Sequence, residues 1–212
     1  IGNLGDITVR ARQVLREVTT VVAEDTRRSK KLLAAVESEA RLESFHAHSG
    51  SRKLQRVIEL LDEGDVAYLT DAGTPGIADP GAKLVAAGRL KGHTISPVPG
   101  PSALAAALSV SGIESGGAVF LGFLPRRRVR RFHALECASA TDLPAVVFCS
   151  PSTVIRTLSE CSLYFGDDAP VVICRELTKR YEQVVESTLL AAPSLDVVQV
   201  ERGEYVLVVG QR

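Results

Sequence analysis

The residue types that do chemistry fall in a few short stretches. The densest is residues 70–81, TDAGTPGIADPG, which joins an apolar run, Val66–Leu69, to an amphipathic segment over 82–90. Glycine admits positive φ and lets backbone approach a ligand, while proline keeps a turn out of regular structure. A strand-to-helix link usually takes about two to six residues. A longer Gly, Pro, Asp and Thr turn at the carboxyl end of a buried strand therefore reads as a ligand loop, against the plainer reading of an inert connection. Pro99, Gly100, Pro101, Ser102 and Ala103 form a second such turn after the β-branched run 94–98.

Charged groups stand at other turns. Glu24 and Asp25 end the apolar run 19–23, and Arg27 and Arg28 follow. One carboxylate there can act as general base or orient a substrate. The same pair can instead cap a helix and pair with an arginine. His46 and His48 offer imidazoles for acid–base work or are plain surface residues. In LPRRRVRR, residues 124–131, five arginines occupy six positions: Arg126, Arg127, Arg128, Arg130 and Arg131. Arginine binds phosphate bidentately, so the row reads as a phosphate-binding patch, with a solvated helix face as the alternative. Only Phe123 and Phe132 lie nearby, which suits backbone recognition of folded RNA better than base stacking. Arg175-Glu176-Leu177-Thr178-Lys179 places both signs of charge after a strand, as a functional group or as weak surface ion pairs.

Other chemistries lack their signatures. There is no GxGxxG, no GxxxxGK[ST], no GxSxG and no HExxH. Acidic and basic residues balance at 25 each, so contact with nucleic acid must come from a local patch. No apolar run approaches the ~18 residues of a membrane helix, and no signal peptide is visible. Cys137, Cys149, Cys161 and Cys174 have no CxxC spacing and read as reduced thiols of a cytoplasmic protein, with no metal implied. The chain contains no methionine and opens at Ile1-Gly2-Asn3; a β-α-β unit would begin with a strand upstream of that turn.

These stretches need elements to position them. The pattern predicts a loop over 2–6 with Asp6 as helix N-cap, then a helix on Ile7, Ala11, Val14, Leu15 and Val18. It predicts strands at 19–23, 42–45, 66–69 and 94–98, and helices through Leu32 and Leu33, from Leu54 to Gly64, over 82–90 and over 103–110. A Gly/Ser stretch at 111–117 suggests a boundary, giving an N-terminal α/β lobe over 1–113 and a C-terminal α/β lobe over 114–212. The second lobe reads strand 119–124, basic helix, strand 145–149, helix 154–161, strand 171–174, then strands 181–187 and 205–209. Consecutive final strands suggest a mixed sheet, after a mainly parallel sheet in the first lobe.

Taken in order, IGNLGDIT, AEDTRRSKKLL, SFHAHS, TDAGTPGIADPG, PVPGPSALAAALSVSG, FLGFLPR, SPSTVIRTL, CRELTK and GEYVLVV resemble the ribosomal RNA small subunit methyltransferase I family, within the tetrapyrrole methylase superfamily. The resemblance spans nearly the whole chain. It implies a two-lobed α/β class III methyltransferase fold, a cytoplasmic homodimer, and S-adenosylmethionine in a cleft between the lobes. The implied reaction is 2′-O-methylation of a cytidine ribose in the decoding region of 16S rRNA, within the small ribosomal subunit. Carried over to this sequence, Asp71, Ala72, Gly73, Thr74, Pro75, Gly76 and Ile77, with Pro99, Gly100, Pro101, Ser102 and Ala103, would bind the cofactor. Leu4, Ser150, Pro151, Cys174 and Arg175 would complete the cleft. Cys149-Ser150 stands where many relatives have a Tyr-Glu pair, so an acidic role there does not transfer.

Methyl transfer from a sulfonium is an in-line displacement, in which positioning can supply up to ~7–11 kcal/mol. A ribose hydroxyl is a weak nucleophile and gains from a base within about 3 Å. Glu24 and Asp25, with Lys179, are the expected catalytic group, and His46 is the reserve base. Arg27, Arg28 and the arginine row from Arg126 to Arg131 are expected to bind RNA phosphates. Two other readings stay open: a relative that methylates a small precorrin-like molecule, and a non-catalytic RNA-binding relic.

Overall fold

Thr20–Ala23 (β1) is buried at every position, as expected of a run that is apolar on both faces. In the computed structural model, which describes every residue except Ala72 and Arg212, β1 is the centre of a parallel sheet with order β2-β1-β3. Arg41–Ser44 (β2) and Val66–Leu69 (β3) flank it, and Ala23 stands in register with both Ser44 and Leu69. Alternate side chains of a strand point to opposite faces. Val21 accordingly packs with Leu15, Leu33 and Val36, while Val22 packs with Phe45, Val57 and Leu84.

Four helices line this sheet: Val9–Glu17 (α1), Thr26–Ala35 (α2), Ser51–Glu63 (α3) and Gly81–Leu90 (α4). The N-cap of α1 is Thr8, whose hydroxyl accepts from the Ala11 amide at 3.1 Å. The expected cap, Asp6, lies instead in a short 3₁₀ turn, Leu4–Asp6. Residues 94–98 form no strand, contrary to their β-branched pattern. Pro97 cannot donate to a ladder. Its carbonyl accepts from Arg10 Nη2 at 3.1 Å, and the Pro99 carbonyl accepts from Thr8 Oγ1 at 3.3 Å.

The chain divides into units Ile1–Ser102 and Ala103–Arg212. The division falls before the Gly/Ser stretch, because Ala103–Val110 (α5) packs against the last strand of the second unit. That unit contains Val119–Phe123 (β4), Arg128–Ser139 (α6), Ala145–Cys149 (β5), Val154–Phe165 (α7), Pro170–Arg175 (β6), Gln183–Thr188 (β7) and Tyr205–Val209 (β8). The sheet is mixed, with order β4-β5-β8-β6-β7. β4 and β5 are parallel, and β8 runs antiparallel between β5 and β6. It follows that β4, β5 and β6 all point the same way. Their buried faces meet α7 in one core that includes Val147, Leu158, Ile173 and Leu207. Among the described residues, no helix is long and apolar enough to cross a membrane.

Candidate active site

In the first unit, the register brings three strand ends to one edge: Glu24 and Asp25 after β1, His46 after β2, and Thr70 and Asp71 after β3. The β1–β3 connection is explicit. Asp71 Oδ1 accepts the Asp25 amide at 2.9 Å, while Asp71 Oδ2 lies 3.9 Å from Arg28 Nη1.

The two adjacent carboxylates have different fates. Asp25 caps α2, accepting from the Arg27 amide at 2.8 Å and from the Arg27 guanidinium at 3.2 and 3.3 Å. Those hydrogen bonds hold its pKa below the ordinary value, which makes it a poor proton acceptor. Glu24 takes no such bond among the described residues. Its pKa is raised, first by partial burial and then by the charges of Asp71 and Asp79, with Arg28 opposing. A carboxylate raised toward neutrality is the better general base. His46 is exposed, its backbone amide bound to Ser49 Oγ at 2.9 Å and its ring 6.3 Å from that of His48.

The loop after β3 is pinned by a residue that sequence reasoning did not single out. Asp79 Oδ2 accepts the Gly76 amide at 2.7 Å, and Oδ1 accepts the Gly81 amide at 2.6 Å. Tyr68 reaches Asp79 Oδ1 with its hydroxyl at 3.4 Å; burial, with the Asp79 and Glu24 charges, raises that phenol's pKa. An Asp bonding local backbone is the usual mark of an Asx turn, and that was the available signal. Gly81 is obligatory, since a β-carbon there would lie 2.5 Å from the Tyr68 ring and 2.8 Å from Asp79 Oδ1. Gly73 and Gly76 adopt φ of +81° and +84°. Pro75, Gly76 and Ile77 are exposed, and Gly73 and Thr74 half-buried; Ala72 lies outside the described residues. In the second loop Pro99 and Gly100 are exposed, Pro101 and Ser102 half-buried, and Ala103 opens α5. Leu4 is exposed on its 3₁₀ turn.

In the second unit, β4, β5 and β6 end at one edge, with the start of β8. Ser150 closes a Ser-Pro-Ser-Thr turn: its amide donates to Thr153 Oγ1 and its hydroxyl lies beside Ser152 and Thr153, each at 3.0 Å. Pro151 is half-buried in that turn. Cys174 is fully buried, its thiol pushed up to about 11 by burial and then by the Glu182 charge. Arg175 is also buried. It donates to the Arg202 carbonyl at 3.0 and 3.2 Å, to Tyr181 O at 3.3 Å and to Gln183 Oε1 at 3.0 Å. Its guanidinium thus ties loops together, which leaves its backbone as the part able to meet a ligand.

Lys179 Nζ bonds Glu176 Oε1 at 2.9 Å and Glu204 Oε2 at 2.8 Å. Burial alone would lower its pKa, but these carboxylates outweigh it and the net shift is upward. Lys179 therefore stays protonated and does not serve as a base. Glu176 and Thr178 hold φ of +51° and +64°, and Ala78 in the β3 loop holds +60°. Strained backbone of this kind costs about 1–3 kcal/mol per residue and gathers at functional loops.

Of the arginine row, Arg126, Arg127, Arg128 and Arg130 are exposed at the start of α6. Arg27 and Arg28 are exposed on α2. Arg131 departs from the expectation of a phosphate contact: it is only 6% exposed and turned inward onto Glu160. Helical periodicity points position 131 toward α7 while its neighbours face outward.

Residues 1–193 match the family model for tetrapyrrole (corrin/porphyrin) methylases. The chain is 41% identical to "Ribosomal RNA small subunit methyltransferase I" of Xylella fastidiosa, covering 99% of this chain and 78% of the relative. It is 39% identical to the protein of the same name from Halalkalibacterium halodurans, covering 99% of this chain and 72% of that one. Among solved structures it resembles a cobalt precorrin-4 methyltransferase, with TM-score 0.68, 18% identity and coverage of 98% of this chain and 90% of that chain. It also resembles the uroporphyrin-III C-methyltransferase of Thermus thermophilus in complex with S-adenosylhomocysteine, with TM-score 0.68, 15% identity and coverage of 97% and 91%.

Proposed function

The chain belongs to the tetrapyrrole (corrin/porphyrin) methylase family, alongside its small-subunit rRNA methyltransferase I members, and on that premise we propose that it transfers a methyl group from S-adenosylmethionine to 16S rRNA, at the 2′-oxygen of a cytidine ribose in the decoding region. The observation that carries this reading is the carboxyl edge of the parallel sheet. There the Asp79-pinned glycine loop lies beside Glu24 and Asp71.

The residues present fit such a cofactor. At Gly76 and Gly100 a β-carbon would meet nothing within 4 Å, and at Gly73 only Ile1 Cγ2 at 4.0 Å, so the backbone is bare enough for close approach. Backbone amides of such loops suit a carboxylate, and the Glu24, Asp71 and Asp79 charges suit a cationic centre by Coulomb attraction. Asp71, Gly73, Thr74, Pro75, Gly76, Ile77 and the Pro99–Gly100–Pro101–Ser102 turn are the groups assigned to hold it. When bound, S-adenosylmethionine supplies an electrophilic methyl group on sulfur. Glu24, raised toward neutrality, takes the proton of the ribose hydroxyl. Asp25 stays ionised as the helix cap that fixes the Glu24 backbone. Lys179, kept cationic by two carboxylates, orients an anionic acceptor. The exposed arginines, with Arg27 and Arg28, hold RNA phosphates. The family resemblance adds a cytoplasmic homodimer that meets its RNA within the small subunit.

The test is methyl incorporation into naked 16S rRNA, isolated small subunits and whole ribosomes, mapped by nucleotide, with cofactor titrated by calorimetry. A single methylated cytidine ribose is expected. Cofactor binding with methylation of a small tetrapyrrole but of no rRNA would replace this reading with the small-molecule one. No cofactor binding at all would leave an RNA-binding relic.

A further inference from the structure

Resting on the assignment of the exposed arginine row to RNA phosphates, we propose that the buried Arg131–Glu160 pair is a positioning device: it sets the turn that presents Arg126, Arg127 and Arg128, and touches no RNA itself.

The turn between β4 and α6 carries its cations at the wrong end of a helix. Arg127 is the N-cap, with no side-chain hydrogen bond, and Arg128 and Arg130 lie in the first turn. The helix dipole is positive there, so like charges repel it. Left alone, such a turn would fray. Arg131 prevents this from the core side. Its Nη1 donates to the carbonyls of Pro125 at 3.1 Å and Arg126 at 2.9 Å, the two residues that form the turn. Its Nε and Nη2 make a bidentate pair with Glu160 on α7, at 2.6 and 2.7 Å. Both side chains are nearly sequestered, at 7% and 12% exposure. A buried ion pair contributes little net stability compared with apolar residues of similar volume, so its retention fits a role in specifying geometry. One planar guanidinium is the side chain able to span a carboxylate and two carbonyls at once; a lysine ammonium is a point donor. A second contact pins the row further. The Arg128 guanidinium lies 4.8 Å from the centre of the Phe132 ring, which meets Tyr164 of α7 edge-on at 5.7 Å. Glu160 and Tyr164 are four residues apart on α7 and so share one face, which grips the start of α6 at two points.

The discriminating variants are Arg131→Lys and Glu160→Gln, measured for binding to a 16S rRNA transcript across a salt series. The logarithmic salt slope counts phosphates neutralised, at about 0.7–0.9 per contact. A directly bound Arg131 would be replaced by lysine without loss of slope, and removing the Glu160 charge would leave the slope unchanged or raise it. A positioning pair predicts the opposite: both variants lower the slope by about one to two contacts, while cofactor affinity stays parental. Parental or steeper slopes in both would overturn the proposal. Should either variant fail to fold, the paired replacement Arg131→Met with Glu160→Leu removes the buried charges together. It should fold and still show the reduced slope; a parental slope there also overturns the proposal. The triple variant Arg126→Gln, Arg127→Gln, Arg128→Gln separates the underlying reading: if its slope is parental, the exposed row does not bind RNA, and the fault lies there.

Discussion

Glu24 and Asp25 are neighbours in sequence and opposites in chemistry. Asp25 spends its oxygens on the amide and guanidinium of Arg27, whereas Glu24 sits half-buried among the charges of Asp71 and Asp79. The raised pKa of Glu24 links to stability with a definite sign. A group that binds its proton more tightly when folded contributes stability below its unfolded value, near 4.5, and that contribution is lost as pH rises through the higher folded value. Glu24→Gln mimics the protonated form. It should therefore be more stable than the parent at pH 7 and converge with it below pH ~4.5, as read by urea unfolding at several pH values. Single-turnover methylation should fall by ~10²–10⁴-fold, the usual cost of losing a base. Equal stability at both pH values would show that Glu24 is not desolvated; parental turnover would move the base to His46. Lys179→Met should slow methylation without removing a titration near neutrality, because the parental lysine is held charged. A pH–rate profile that loses its neutral limb in this variant would contradict that account.

At the scale of elements, the β3 loop behaves as a closed unit. Asp79 fastens both ends of its second half, and Gly73 occupies a left-handed conformation. Gly73→Val places a β-branched side chain where φ is +81° and where Ile1 is 4.0 Å away. It should weaken S-adenosylmethionine binding at least tenfold by calorimetry while circular dichroism stays parental. Unchanged affinity in a folded variant would take this loop out of the site. Helix α6 offers a different balance. Neutralising Arg126, Arg127 and Arg128 relieves repulsion from the helix dipole, about 0.3–1 kcal/mol per charge at a helix end. It also forfeits the Arg128–Phe132 contact, worth about 0.5–1 kcal/mol at an exposed site. These effects are similar and opposed, so the melting temperature should move little, while the salt slope for RNA drops by up to ~0.7–0.9 per lost contact.

Across the whole molecule, burial is unequal. The second unit wraps β8 between β5 and β6, and every residue of β8 is buried. The first unit has three short strands, and β2 and β3 are only partly covered. Local opening follows buried apolar contact. Amide hydrogen exchange should therefore be slowest in β5, β6 and β8, faster in β2 and β3, and fast along β7, whose residues alternate outward at the sheet edge. Uniform protection of both sheets would contradict this ordering. Leu158→Ala, in the core of the second unit, should cost about 2–5 kcal/mol of unfolding free energy in that unit.

What the sequence determined by itself was mostly local. β3, α5, β5 and β8 lie where apolar runs and small-residue periodicity place them, because a strand buried on both faces must be apolar and turns need Gly, Pro and Asp. The glycine loop was legible for the same reason, as was the α/β class. Tertiary structure decided matters that depend on partners distant in the chain. Residues 94–98 have a strand's composition but lack a ladder, since Pro97 cannot donate and α1 supplies other hydrogen bonds. The insertion of the last strand between β5 and β6 is a non-local pairing that no window of sequence encodes. Arg131 looks like its neighbours in composition; only the packing of α6 on α7 turns it inward to Glu160. The unlike fates of Glu24 and Asp25 have the same origin, because a pKa is set by burial and by charges brought close in space, and Asp71 and Asp79 arrive there through the parallel pairing of β1 with β3.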